Sequence, residues 1–294
     1  MEAIYLTPDD RLQKVFDGAA PGSVIHLSPG VYRQKVVIRT PGLTIVGSGA
    51  GKTRIVFDDY ARKRDEQGFE YITFRTYTVA VCADGVTIRD LSVINDAGTP
   101  EKKGQQVALS VLGTHFTMKD CALISTQDTL FAGPLPPDLI ERYEGFLADE
   151  LRRGGEMEQV FQNCTIEGSV DFIFGCGNAL FEDCCIRSVA DARNVGYVAA
   201  PAHSHEQTAG FRFLRCSVVC GPGVQPGTIY LARPWRDFGM ARFEHCTYED
   251  HIAAAGFDKW GDTDRDRTAR FFEHPAVSGR VCWINKTELA GTEL

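Results

Sequence analysis

Four apolar segments of the sequence carry polar side chains of the kinds that perform nucleophilic and acid–base chemistry. The segments are GQQVAL (104–109), STQDTLFAG (125–133), GSVDFIFG (168–175) and TIYLARPWRDF (228–238). Asp171 precedes Phe-Ile-Phe, which indicates a packed strand, and a carboxylate there needs a cation or hydrogen-bond donors. Arg233, next to a Pro-Trp pair, is a suitable cation. An isolated strand aspartate is more often structural, but two carboxylates, two glutamines and an arginine on successive segments favour a site.

The second carboxylate is Asp128, 43 residues before Asp171. Removing an inserted loop of about 20 residues leaves about one coil of a repeating fold, so the two acids can be neighbours. Two close carboxylates do not both ionise easily, and their pKa values separate. The acid nearer Arg233 stays charged and can attack, whereas the other keeps its proton and can act as a general acid. This assigns the first role to Asp171 and the second to Asp128.

A degenerate repeat positions these segments. In each copy an apolar residue is followed by a polar pair, then usually a cysteine, then an apolar or β-branched residue two positions further on. The copies are VTIRDLSV (86–93), FTMKDCAL (116–123), VFQNCTI (160–166), LFEDCCI (180–186), FRFLRCSVV (211–219) and ARFEHCTY (241–248). A unit of roughly 20–30 residues cannot bury its own apolar face, so the copies must stack. We therefore predict an all-β parallel β-helix that forms a single domain over residues 1–294.

Two segments depart from the repeat. Residues 9–20 carry Leu12, Val15 and Phe16 at helical spacing, which predicts a short helix capping the start of the solenoid. Residues 133–158 contain three prolines and many charged residues. They are expected to form a long loop inserted into one coil.

The chain has ten cysteines and contains no C-x-x-C pair, so neither a zinc ribbon nor a thioredoxin-type site is indicated. Five of them share one position of the repeat: Cys121, Cys164, Cys184, Cys216 and Cys246. Compact, weakly polar side chains at one inward position are expected to form a buried ladder of free thiols. Free thiols and an N-terminus without signal-peptide features predict a cytoplasmic protein, with secretion as the alternative.

Composition and charge exclude several classes of function. Hydrophobic residues make up 44% and charged residues 24% of the chain, as in ordinary globular proteins. The 31 Lys and Arg against 39 Asp and Glu give a net charge of −8, which disfavours binding to nucleic acid. No stretch approaches the length of a membrane span. We expect a monomer that binds neither nucleic acid nor membrane.

Six motifs, in order along the chain, resemble those of the pectin methylesterases, carbohydrate esterases built on a right-handed parallel β-helix. The motifs are GVYRQKV (30–36), TFRTYTV (73–79), QQVAL (105–109), QDTLF (127–131), DFIFG (171–175) and LARPW (231–235). They cover nearly the full length, and QDTL, DFIFG and RPW in this order are highly specific. The family usually has Glu where Gln34 stands, Tyr where Phe131 stands and Gly where Ala232 stands. None of these departures removes a catalytic group.

The resemblance implies that the protein removes methyl esters from galacturonate residues of homogalacturonan or short oligogalacturonides and releases methanol. It implies that Asp171 is the nucleophile and Asp128 the acid and base. Gln127 and Gln105 would donate hydrogen bonds to the oxyanion, and Arg233 would hold Asp171 in its charged form. No metal or cofactor is expected, because the ester is already electrophilic and the glutamines polarise it.

The resemblance also implies a set of residues that contact the sugar. Trp235 would offer an aromatic face to a ring, and Thr73 and Phe174 would line the cleft. Phe131, Gln105 and Arg233 complete the predicted substrate-binding residues.

Two other classes of function stay open from the residues alone. The first is a β-helix enzyme acting on pectate, but the polygalacturonase-like strings N-T-D, G-H-G and R-I-K are absent. A calcium-dependent lyase would show clustered Asp ligands on the repeat strands, and none stand there. The second is a carbohydrate-binding β-helix without catalysis, which a methanol-release assay would separate from an esterase. A cytoplasmic esterase is expected to prefer short imported oligogalacturonides.

Overall fold

The structure, a computed structural model, describes residues 3–285. These residues form 25 strands, numbered β1 to β25 along the chain, in three parallel sheets. From β2 to β24 the chain takes one strand of each sheet in turn and then begins the next coil. This is the predicted parallel β-helix.

The first sheet has ten strands: β1 (Ala3–Leu6), β2 (Val24–Leu27), β5 (Thr44–Val46), β8 (Thr87–Arg89), β11 (Phe116–Lys119), β14 (Glu158–Gln162), β17 (Asn178–Glu182), β20 (Phe211–Leu214), β23 (Met240–Glu244) and β25 (Arg270–His274). The second has eight: β3 (Gly30–Tyr32), β6 (Thr53–Phe57), β9 (Ser92–Asn95), β12 (Ala122–Ile124), β15 (Thr165–Gly168), β18 (Cys185–Ser188), β21 (Ser217–Cys220) and β24 (Thr247–Tyr248). The third has seven: β4 (Val36–Ile38), β7 (Val79–Val81), β10 (Leu109–Val111), β13 (Leu130–Ala132), β16 (Val170–Gly175), β19 (Gly196–Pro201) and β22 (Ile229–Ala232).

The helices are short. They are α1 (Leu12–Gly18), α2 (Pro100–Lys103) and α3 (Pro137–Arg142), with 3₁₀ turns at Thr73–Arg75, Asp149–Arg152 and Arg265–Arg267. The predicted N-terminal helix is confirmed as α1, whose Leu12 and Phe16 are fully buried in the core of the solenoid. Across residues 3–285, every helix is too short or too polar to cross a lipid bilayer.

From β8 onward, one residue in the left-handed conformation turns each coil from the first sheet to the second. The residues, all with φ between 51° and 60°, are Asp90, Asp120, Asn163, Asp183, Arg215 and His245. Each directly precedes Leu91 or a cysteine of the ladder. Asp and Asn tolerate this conformation because their short side chains can bond to the local backbone. The polar pair of the sequence repeat is therefore the corner of the coil.

The cysteine ladder is confirmed. Four of its members are buried and Cys246 is half-buried, and all ten cysteines, which lie within the described residues, are free thiols. Each ladder thiol faces a backbone carbonyl of the preceding coil; for example, Cys184 Sγ donates to Phe161 O at 3.3 Å. Burial raises the pKa of Cys121 to about 12, so this thiol is uncharged and inert at neutral pH.

A column of phenylalanines runs beside the ladder along the first sheet. The rings of Phe161, Phe181, Phe213 and Phe243 stack, with centroids 4.9, 4.7 and 4.4 Å apart in chain order. The strand register places these residues directly opposite each other in β14, β17, β20 and β23. The column joins four successive coils, so it links the stability of each coil to that of its neighbours.

Replacing Phe213 with alanine is expected to lower the free energy of unfolding by about 3–5 kcal/mol, because it opens a cavity between two stacked rings. Chemical denaturation measures the change. Phe69→Ala is the matched control, since Phe69 is 57% exposed and its loss is expected to cost within about 0.5 kcal/mol. Equal effects of the two substitutions would contradict the proposed role of the column.

The segment between β13 and β14 is partly helical, whereas the sequence predicted a loop. It contains α3 and the 3₁₀ turn Asp149–Arg152. Its buried leucines pack with Phe74, Tyr77 and Phe131 in a second hydrophobic cluster on the outside of the third sheet: Leu135, Leu139, Leu147 and Leu151. Leu139, Tyr143, Phe146 and Leu147 do stand at helical spacing, but the surrounding prolines and charges favoured a loop in the prediction. The cluster holds the segment against the sheet that carries the predicted catalytic residues.

Candidate active site

A β-bulge in β16 presents Asp171. The register between β16 and β19 shifts between Val170 and Ile173, and Asp171 has a φ of 50°. A bulge redirects the side chains on either side of it, and a non-glycine residue with positive φ carries strain that is concentrated at functional sites. Phe172 consequently enters the core of the solenoid, while Asp171 lines a cavity on the outer face.

Arg233 follows β22 and forms a two-pronged ion pair with Asp171. Its Nε and Nη2 atoms donate to Asp171 Oδ1 and Oδ2 at 2.8 and 2.6 Å. The guanidinium lies between two aromatic rings, 3.7 Å from the Tyr197 centroid and 4.0 Å from that of Trp260. The pairing predicted from the sequence is confirmed. The two rings were missed, because each stands in a segment with no motif of its own.

Asp128 lies on the neighbouring coil. Its backbone N–H donates to Val170 O at 3.1 Å, which fixes it beside the residue that precedes Asp171. Like Asp171, it has a positive φ, of 63°. The carboxyl group is buried, and its Oδ1 atom has no hydrogen-bond partner among residues 3–285. A buried oxygen without a donor favours the neutral, protonated acid.

The two acids differ in how firmly they hold a proton. Burial raises the pKa of Asp128 well above its ordinary value, and the nearby charge of Asp171 raises it further. Burial also raises the pKa of Asp171, but the ion pair with Arg233 opposes this rise. When the pair shares one proton, the proton therefore resides on Asp128 and the charge on Asp171. The sequence predicted the same division of charge from the closeness of the two acids and the position of Arg233.

Gln127 is held in one orientation. Arg193 Nη1 donates to Gln127 Oε1 at 2.9 Å, and Asp191 holds Arg193 in place through an ion pair of 2.5 Å. A guanidinium can only donate, so the Gln127 oxygen must face Arg193 and its Nε2 group is left to donate elsewhere. Gln127 lines the same cavity as the two acids. Arg193 was missed in the sequence because it lies in a charged turn, SVADARN (188–194), that is typical of solvated loops.

The cavity has a volume of about 490 Å³. Predicted residues that line it are Asp128, Asp171, Gln127, Gln105, Arg233, Thr73, Phe174 and Trp235. Phe131 does not line it, which corrects the prediction that this residue contacts the substrate. Its ring is 1% exposed and packs against Phe74 and Phe174, with centroids 5.3 and 5.0 Å apart, so it supports the lining from beneath.

The segment between β13 and β14 supplies part of the wall. Leu139, Arg142 and Tyr143 line the cavity from this segment, and Tyr143 packs on Phe74 with ring centroids 5.9 Å apart. Arg236 also lines the cavity, and its Nη2 atom forms an ion pair with Asp138 Oδ2 at 2.8 Å. The sequence indicated an insertion here but did not show that it reaches the site.

A sequence model of the pectinesterase family matches residues 3–134 and 153–286, which is most of the chain. The chain belongs to the pectinesterase family. Among curated relatives, Pectinesterase 31 of Arabidopsis thaliana is 31% identical over 95% of this chain and 80% of its own length. Pectinesterase QRT1 of the same plant is 30% identical over 96% of this chain and 68% of its own length. The family assignment implied by the motifs is thus confirmed.

Solved structures of pectin methylesterases share the fold of this pectinesterase. PemA from Erwinia chrysanthemi superposes with a TM-score of 0.78 at 24% identity, covering 95% of this chain and 91% of that one. A pectin methylesterase in complex with a hexasaccharide has a TM-score of 0.76 at 25% identity, covering 92% and 87%. The family model leaves residues 135–152 unmatched, and these are the residues that bring α3 to the cavity wall.

Proposed function

We propose that this pectinesterase hydrolyses the C6 methyl esters of galacturonate residues in pectin or oligogalacturonides and releases methanol. The observation that carries the proposal is the pair of buried acids in one cavity, one of them ion-paired with Arg233 and the other without a hydrogen-bond donor on Oδ1. Family membership supports the substrate class. A similar pectin methylesterase was solved with a hexasaccharide, which supports an oligosaccharide as the ligand of the cavity.

In the first half of the proposed reaction, a carboxylate oxygen of Asp171 attacks the ester carbonyl carbon. The carbonyl electron pair moves to oxygen, where Gln127 Nε2 and Gln105 donate hydrogen bonds to the developing charge. When the tetrahedral species collapses, the bond to the methoxy oxygen breaks and Asp128 transfers its proton to that oxygen. Methanol leaves, and the galacturonate acyl group stays bonded to Asp171.

In the second half, Asp128 is a carboxylate and takes a proton from water as the water oxygen attacks the acyl carbon. The bond to Asp171 breaks, which restores its carboxylate and the ion pair with Arg233. The product leaves as a galacturonic acid residue, which loses its proton to solvent, and Asp128 is protonated again. The cycle returns both acids to the protonation states favoured by their surroundings, so no further proton carrier is required.

The walls of the cavity fit an acidic sugar chain. Trp235, Phe174 and Thr73 offer aromatic and hydroxyl surfaces to sugar rings. Arg142 and Arg236 also line the cavity and carry positive charge that attracts free uronate carboxylates on either side of the reacting ester. We propose that Phe131 acts only by supporting this surface.

The direct test is methanol release from methyl-esterified polygalacturonan and from methyl-esterified oligogalacturonides of defined length. We expect release from at least one substrate, without new reducing ends or unsaturated products. A folded protein that releases no methanol from either would overturn the proposal, and chain cleavage would point to a glycosidase or a lyase instead.

A higher rate on short oligomers would support the predicted cytoplasmic role. A preference for polymer, or recovery of the protein from culture medium, would favour secretion. Size-exclusion chromatography tests the predicted monomer.

Replacing Gln127 with alanine is expected to lower kcat by about 10²–10³-fold with a small effect on KM, because its hydrogen bond strengthens as the oxyanion forms. Steady-state methanol release gives both constants. Gln162→Ala is the matched control, since Gln162 lies on β14 and bonds to Glu182 at 3.1 Å outside the cavity. A Gln127 variant that raises KM and leaves kcat intact would instead make this residue a binding group.

A further inference from the structure

Three side chains with metal-binding donors meet at the C-terminal end of the solenoid, outside the catalytic cavity. A donor atom from each of Cys220, Glu249 and His251 lies within 4.8 Å of the other two. None of the three lines the cavity that holds Asp128 and Asp171. The sequence did not indicate the group, because the glutamate stands 29 positions after the cysteine and no C-x-x-C or closely spaced His pair marks it.

Strand register brings the three residues together. Cys220 is the last residue of β21, which pairs in parallel with β24 through Val218 opposite Tyr248. Continuing that register by two residues puts Cys220 opposite position 250, with Glu249 and His251 on either side. Glu249 is held there because its Oε2 atom accepts the Cys220 backbone N–H at 2.6 Å. The arrangement is therefore a consequence of the coil geometry and does not depend on a free loop.

His251 is the independent sign of a missing ligand. Its side chain is fully buried, yet neither Nδ1 nor Nε2 has a hydrogen-bond partner within residues 3–285. A buried imidazole without partners is costly, and a ligand on one nitrogen would remove the cost of leaving that nitrogen unpartnered.

We propose that Cys220, Glu249 and His251 form a binding site for a single zinc ion. Sulfur, imidazole nitrogen and carboxylate oxygen are the donors that Zn²⁺ takes in proteins, with a water completing a tetrahedron. Donors in such a site lie roughly 3.3–3.8 Å apart, given metal–ligand distances of about 2.0–2.3 Å, so only a small inward movement is needed. Cys220 is half-buried and Glu249 is exposed, which gives the ion a route in from solvent.

Binding forms a Zn–S bond and breaks the S–H bond of Cys220, and the thiol proton passes to the buffer. His251 contributes a ring nitrogen and Glu249 a carboxylate oxygen as the other two protein ligands. The site would stabilise the coil that leads to Arg233. The backbone carbonyl of His251 accepts the Ile229 N–H at 2.9 Å, and Ile229 begins β22, the strand that ends just before Arg233. We therefore assign the ion a structural role that is independent of the proposed esterase activity.

The test is a titration of the full-length reduced protein with Zn²⁺ alone, followed by competition with a chromophoric chelator, with proton release and the melting temperature measured in parallel. We expect one tightly bound zinc per chain, about one proton released and a melting temperature raised by a few degrees at saturation. Replacing zinc with Co²⁺ should give a sulfur-to-cobalt charge-transfer band. Absence of binding by the wild-type protein would overturn the proposal.

Variants distinguish this site from the other thiols. Cys220→Ser and His251→Gln are each expected to weaken zinc binding at least tenfold and to remove the cobalt–sulfur band or change its coordination spectrum. Cys282→Ser and His245→Gln are the matched controls, since both residues are exposed and lie outside the cluster, and both variants should bind like the wild type. Wild-type affinity in Cys220→Ser would contradict the site. If His251→Gln does not fold, Cys220→Ser and the wild-type cobalt spectrum decide the question.

Discussion

Replacing Asp171 with asparagine is expected to reduce methanol release by about 10⁴-fold or more, because the amide cannot serve as the attacking carboxylate. Asp128→Asn is expected to cost about 10²–10⁴-fold, since methoxide would leave without a proton donor and water would attack without a base. Both changes conserve side-chain volume. The rates are measured as kcat for methanol release on the better substrate, with circular dichroism and melting temperature recorded for each variant.

Asp183→Asn is the matched control for the nucleophile. Asp183 also has a positive φ, of 52°, and also takes two hydrogen bonds from one arginine, with Arg215 Nε and Nη2 at 2.8 and 3.0 Å. It lies at an exposed corner of the solenoid, so its loss should leave activity unchanged. An Asp171→Asn variant that folds and keeps more than about a tenth of wild-type kcat would rule out the covalent role, given the usual cost of losing a nucleophile.

Replacing Arg233 with methionine is expected to reduce activity at acidic and neutral pH by about 10²-fold or more. The arginine opposes the rise that burial imposes on the pKa of Asp171, so its removal leaves a buried carboxylate unpaired. Breaking such a pair by removing one partner costs about 3–5 kcal/mol, so the pKa of Asp171 rises further in the variant. Asp171 would then be protonated over much of the working range, and a protonated carboxyl group does not attack the ester.

The sign of the pH effect follows from the two acids. Activity needs Asp171 ionised and Asp128 protonated, so kcat/KM falls at low pH through the first group and at high pH through the second. Loss of Arg233 raises the pKa of Asp171 and moves the acid limb to higher pH. The limb set by Asp128 still falls at high pH, so raising the pH restores only part of the activity. A pH profile of kcat/KM for wild type and variant measures the shift.

Arg215→Met is the matched control for this prediction. It removes the equivalent two-pronged pair with Asp183 at an exposed site, where solvent screens the charges and the loss should leave activity unchanged. Arg233→Lys should be intermediate, because it keeps a charge but loses the planar fork that matches both Asp171 oxygens. An Arg233→Met variant with the wild-type acid limb would show that Asp171 does not depend on this pair for its ionisation.

The repeat in the sequence was sufficient to predict the architecture. Each copy contains the residue types that its own coil requires. These are apolar residues that face inward, a polar residue that can adopt a positive φ at the corner, and usually a compact cysteine after it. Cys121, for example, forms one step of the ladder, as its spacing indicated, and the structure shows that Asp120 before it forms the corner. Because every coil repeats the same short-range pattern, the prediction did not require knowledge of distant contacts.

The acids, the glutamines and Arg233 were also visible in the sequence, because polar residues on apolar strands break the pattern around them. Their surroundings were not visible. Phe131 was expected to contact substrate, yet Phe74 and Phe174 cover it. Tyr197 and Trp260 enclose Arg233, and both come from segments without any motif. Which of two adjacent aromatic rings faces the cavity depends on packing across coils, and no local pattern encodes it.

The sequence by itself determined the coil, its corners, the free-thiol ladder and the identity of the chemical groups. Only the tertiary structure decided the direction of Asp171 at its bulge, the orientation of Gln127 through Arg193, and the wall built by Arg142 and Tyr143. The physical reason is the range of the interactions. Periodicity and corner conformation are set by neighbouring residues, whereas burial, pKa and cavity shape are set by side chains that meet only after the coils have stacked.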